Sequence, residues 1–148
     1  MQIRRFAALA ILGLAISPCL ADSARESRTV TKGEAEALIR AALPAKLKRL
    51  PKFGVEISQD SNFPRFYSAL VYGEGEPNGS VMVGTYDVDR ETGDVWNAVI
   101  CEHLTSSSLV KLQVAIRNRI GLTKDEYQKT RRQGPMCESG MPRLGPGK

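Results

Sequence analysis

Histidine and tryptophan each occur once in these 148 residues, at His103 and Trp96, and cysteine three times, at Cys19, Cys101 and Cys137. A metal site or an activated thiol needs several such groups close together, and no CxxC or HxxxH spacing supplies them. P-loop, nucleophile-elbow and dinucleotide-binding patterns are absent as well. Long apolar runs are missing too: the longest, residues 6–16, falls short of the roughly 20 residues a membrane-spanning helix requires. Aromatic residues are few, and the basic C-terminal part offers only Tyr127 for stacking, which argues against nucleic acid as a partner. These scarcities lead us to expect no catalytic centre, no metal and no cofactor.

What is present begins with a leader. Arg4 and Arg5 precede the short apolar run, and Cys19-Leu20-Ala21 makes a small-residue cleavage site, so residues 1–21 read as a signal peptide cut after Ala21. Lipidation at Cys19 is the weaker reading, because Pro18 stands where such sites prefer a small residue. A periplasmic or secreted protein follows, in an oxidising compartment where the two remaining cysteines, Cys101 and Cys137, are expected to pair. Closing that loop would stabilise the fold by roughly 3–4 kcal/mol on a chain-entropy basis.

Charge is segregated along the chain. The full sequence carries +5, but residues 22–53 carry +4, residues 54–104 carry −7 and residues 105–148 carry +6. Basic helical ends packed beside an acidic sheet account for this layout.

The sheet is centred on residues 84–101, GTYDVDRETGDVWNAVIC, which read as a hairpin. Asp89 can accept backbone N–H bonds just ahead of it, and Gly93 can take the positive φ that closes a four-residue loop at residues 90–93. With Val88 opposite Val95, the residues Met82, Tyr86, Val88, Val95, Val99 and Cys101 share one face, expected to meet the helices. Trp96 falls on the other face with Val81, Val83, Thr85, Ala98 and Ile100, an apolar set that points to a partner or a second layer; a register shift of one would exchange the faces. Two further strands precede the hairpin, one carrying Phe53, Val55 and Ile57, the other at residues 66–72. Residues 73–80 form an acidic, glycine-rich loop whose Glu74 and Glu76 are candidate partner contacts.

Helix signals flank these strands. Thr31 and Glu34 make a capping box ahead of the apolar stripe Ala35, Leu38, Ile39, Ala42 and Leu43, which Pro44 ends. Thr105 or Ser106 caps a second helix with Leu109, Leu112, Ile116 and Ile120 inward and Gly121 at its end. Thr123 and Glu126 form another capping box, opening a short basic helix anchored by Tyr127. The expected fold is α+β: an N-terminal helix on a small antiparallel sheet of about four strands, then two C-terminal helices tied back by a disulfide. Residues 22–30 are expected to be flexible, residues 31–138 to form the single domain and residues 139–148 a disordered tail.

The run EAEALIRAALP, the following strands and GTYDVDRETGDVW resemble the PepSY-like domains of exported bacterial proteins, matching their signature at Tyr86, Val88, Asp89, Thr92, Gly93 and Val95 over residues 31 to about 97. That resemblance implies an envelope-located binding or peptidase-inhibiting module without catalytic residues. The favoured function is accordingly a noncatalytic envelope protein that binds a protein or peptide, as an inhibitor or as immunity against a secreted toxin. The alternative is a small periplasmic hydrolase or sugar-binding enzyme using Glu102 and His103. The carboxylates Asp87, Asp89, Glu91 and Asp94 lack the glycine and glutamate positions of a calcium loop and read as turn chemistry.

Overall fold

The computed structural model describes residues 28–75, 79–132 and 134; the expected signal peptide at 1–21, Glu76, Cys137 and the expected tail at 139–148 lie outside them. The chain is α+β, with a five-stranded antiparallel sheet where about four strands were expected. Strands β1 (Gly54–Ser58), β2 (Phe66–Gly75), β3 (Gly79–Asp89), β4 (Val95–Asn97) and β5 (Glu102–His103) follow one another in space as in sequence. Helix α1 (Lys32–Ala42) precedes them, and α2 (Ser107–Ile120) and α3 (Lys124–Arg131) follow.

Local chemistry explains most of the helix ends. Both sides of the α1 capping box are made: Thr31 Oγ1 accepts from the Glu34 amide, and the Glu34 carboxylate accepts from the Thr31 amide at 2.8 Å. Glu34 also receives Arg119 Nε of α2 at 2.7 Å, so one side chain caps α1 and fastens it to its neighbour. Thr31→Ala is expected to lower stability by about 1 kcal/mol, read as a fall in thermal midpoint, with an unchanged midpoint as the contrary result. Ser106 caps α2, and the Ser106 and Ser108 hydroxyls both donate to the Ala41 carbonyl, satisfying an α1 C-terminal acceptor. Gly121 ends α2 at φ 72, a backbone position that favours glycine.

Register decides what the sheet buries. Val88 does face Val95, and the loop closes through Gly93 at φ 72. Val55, Val71, Ala69, Tyr67, Tyr86, Val88 and Val95 line the face that packs on Val30, Ala35, Leu38 and Ile39 at the start of the chain and on Leu109 and Ile116 of α2.

Three expectations about this region need correction. The strand pairing skips Val83 between Val71–Gly84 and Tyr72–Met82, so Met82 turns to the face away from the helices and is 67% exposed. The expected strand through residues 94–101 stops at Asn97, whose side-chain oxygen accepts from the Val99 and Ile100 amides and folds the chain into a turn. Val99 and Ile100 therefore sit at an exposed tip, Cys101 takes φ 54, and β5 returns to pair with β4. The loop at 73–80 is mostly ladder, since β2 and β3 remain paired as far as Gly75–Gly79. Glu74, expected at a loop tip, is a strand residue whose carboxylate pairs with Lys52.

Cys101 is disulfide-bonded, and its partner lies outside the described residues. No helix among the described residues is long and apolar enough to cross a membrane.

Candidate functional site

Two groups of polar side chains stand out because apolar packing does not explain them. The first surrounds the β3–β4 turn. Asp94 is 2% exposed and accepts from Arg117 Nη2 of α2 at 2.8 Å, from the Tyr127 hydroxyl of α3 at 3.2 Å, and lies 3.3 Å from His103 Nε2 of β5. Burial by itself would raise this carboxyl, but the His103 hydrogen bond and the charges of Arg117 and His103 together hold it below the usual aspartate range. Arg117 also donates to the Thr92 carbonyl and Gln113 to that of Gly93, at 2.7 and 2.9 Å. Its guanidinium stacks 3.9 Å from the Tyr127 ring centroid. Nearby, Arg65 binds Asp89 and donates to the Thr130 carbonyl of α3. Helix α3 is thus held at the end of the sheet by residues of the face opposite the core, not laid beside α1 and α2 as expected.

The second group crosses that open face. Direct cross-strand pairing places Ser58, Ser68, Asp87, Trp96 and His103 in one row over all five strands. Ser68 Oγ donates to Asp87 Oδ1 at 3.1 Å, while Asp87 Oδ2 is buried with no hydrogen-bond partner. Burial pushes this carboxyl up to about 6, and the Ser68 bond opposes the shift without cancelling it. Trp96 is half-buried against His103, ring centroids 4.7 Å apart.

The face continues into apolar surface. The neighbouring row is Glu56, Leu70 and Thr85; beyond it Tyr72 lies opposite Gly54. A Cβ at Gly54 would come within 2.3 Å of the Tyr72 ring, so glycine is what lets this ring lie across the edge strand. Leu70 and Tyr72 are each 37% exposed.

The sequence-predicted site residues are dispersed. Trp96 is in the cross-sheet row; Glu74 is ion-paired at the far end of β2; Glu76 and Cys137 lie outside the described residues. Glu102 and His103 are adjacent on β5 and so leave it on opposite faces, His103 towards Asp94 and Trp96. They share no reaction site. Among the described residues, no cluster of three His, Cys, Asp or Glu side chains could hold a metal ion. A cleft of about 640 Å³ opens between Arg28, Glu91, Leu122, Glu126 and Lys129, with mixed charges on its walls. Asp87 was read from sequence only as part of a turn. Strict alternation from the buried Val88 already placed it on the face opposite the core.

The fold and face therefore define a small α+β protein with one sheet face under helices and the other combining buried carboxylates with a partly exposed apolar patch at Leu70 and Tyr72. No family model and no curated protein matches the chain. Among solved structures, a chain of the type VI secretion system effector-immunity complex from Pseudomonas protegens is similar, at 27% identity and a TM-score of 0.55, over 73% of this chain and 90% of that one.

Proposed function

We propose that this chain is a noncatalytic, immunity-type protein of the bacterial envelope that binds a protein partner through the open face of its sheet. The likeness to a chain of an effector-immunity complex, extending over 90% of that chain, carries the reading. The N-terminal leader supports an envelope location, and the PepSY-like signature suits a binding module. The open face suits a partner with apolar groups and a basic group: Leu70 and Tyr72 supply apolar contact, and the exposed Glu56 stands beside Leu70. Separation of Glu102 from His103 speaks against the hydrolase alternative. The Cys101 disulfide, with Cys137 as its proposed partner, would tie the C-terminal segment to the β4–β5 turn.

The test is growth competition between the parent bacterium and a strain lacking this protein. The deletion strain is expected to be outcompeted at least tenfold on a surface, rescued by the wild-type chain and not by Leu70→Asp/Tyr72→Asp. Equal competitiveness of the deletion strain would overturn the immunity reading, and rescue by the double variant would remove the open face as its surface.

A further inference from the structure

Among the described residues, the outer edges of β1 and β5 and one side of β3 are three stretches of strand edge that are not alike. Along β1 the outer edge carries Glu56, an exposed charge in the middle of the strand. β5 is two residues long and begins with the exposed Glu102. Short edges and charges are the usual means by which proteins keep a sheet from adding a foreign strand. The third stretch has neither, and its one irregularity is the bulge at the skipped Val83. β3 is paired with β2 from end to end except at the skipped Val83, but on its other side β4 covers only Tyr86 to Val88, with one further bond from the Ala98 amide to the Thr85 carbonyl. From Gly79 to Gly84 that side of β3 has no strand beside it among the described residues. This stretch, Gly-Ser-Val-Met-Val-Gly, carries no charge in a chain that is 25% charged. Val81 is 45% exposed and Met82 67%, and the β4–β5 turn that follows the Thr85–Ala98 bond brings Val99 and Ile100, 66% and 64% exposed, to the same end of the sheet.

From this we infer that the uncharged edge of β3 pairs with the same edge of a second copy, antiparallel about a two-fold axis near Val81 and Met82. An antiparallel pair of identical strands satisfies the two-fold symmetry that most homodimers adopt, and it sets apolar residues against apolar residues with no like charges facing. The remaining two edges would meet like charge, Glu56 on Glu56 or Glu102 on Glu102, so only this one is self-compatible. The match is backbone to backbone, with Val81, Met82, Val99 and Ile100 shielding it from water. The interface is small, in the class of weak and transient pairings. The open faces of the two sheets would then run on into one another, independently of what binds there.

The experiment is sedimentation equilibrium on the mature, oxidised protein from about 5 to 200 µM. The wild type is expected to rise from the mass of one chain towards two across that range. Met82→Lys and Val81→Lys, both at exposed positions, are expected to stay at one chain mass throughout, a weakening of at least tenfold, with circular dichroism and thermal midpoint unchanged. Glu56→Lys on the β1 edge should dimerise as the wild type does. A wild type still monomeric at 200 µM overturns the inference. So does a dimer that survives both lysine substitutions, or one abolished by Glu56→Lys.

Discussion

Asp94→Ala is expected to cost about 3–5 kcal/mol of unfolding free energy, the range for removing one member of a buried charge pair. The loss exceeds that of one hydrogen bond because three groups lose their acceptor together. Arg117 is 17% exposed at its side chain and would keep its charge in a site with a carbonyl as its remaining partner, while the Tyr127 hydroxyl and His103 lose theirs. The network also joins elements distant in sequence: β4, β5, α2 and α3 meet at this one carboxylate. Urea unfolding at pH 7.5 would measure the effect, and a loss below 1 kcal/mol would show that the network is dispensable. The pH dependence has a definite sign. The folded Asp94 carboxyl lies below its unfolded value, so its contribution is complete above the ordinary aspartate range and is lost as pH falls through the lowered folded value. Wild type and Asp94→Ala should therefore converge in strong acid.

The parts of this structure that were legible in advance are those governed by near neighbours. Both Thr-x-x-Glu capping boxes, the glycine after α2 and the Val88–Val95 register rest on interactions spanning a few residues, and each is found. What escaped depends on more distant partners or on a single inserted residue. The skipped Val83 reverses Met82, although nothing in Val-Met-Val departs from strand alternation. Asn97 was a readable signal, since an asparagine inside a strand pattern can accept from amides two residues on and stop it, even where Val99 and Ile100 favour strand by propensity. The Asp94 cluster was invisible for another reason. Its donors come from positions 103, 117 and 127, and no local spacing announces that they converge. The candidate face was half legible: Trp96 was placed away from the core, but its neighbour Asp87 was absorbed into a run of turn carboxylates.

Asp87 yields the opposite prediction to Asp94. Its folded carboxyl is raised from 3.8 to about 6, so the native state binds a proton more readily than the unfolded chain does. The sign follows: stability contributed by this group falls as pH rises from about 4 to about 6, and above that the ionised form costs the native state on the order of 3 kcal/mol. Asp87→Asn removes the charge and keeps an oxygen for the Ser68 hydroxyl, but it places an amide N–H₂ where Oδ2 already lacks a partner. The net expectation is a gain of about 1–2 kcal/mol at pH 8, shrinking to nothing or reversing near pH 4.5, measured by chemical unfolding at both values. A variant less stable than the wild type at pH 8 would mean that the Asp87 carboxylate is better solvated than its 1% exposure implies. If the gain is found, the protein carries a carboxylate that weakens its own fold, in the middle of the face assigned to its partner. Its oxygens are buried out of reach of a bound protein, so the carboxylate acts on the fold beneath that face and not as a direct contact. Asp87→Asn should then strengthen the fold at pH 8 and leave partner binding unchanged, whereas Leu70→Asp, at an exposed position of the same face, should weaken binding without that gain.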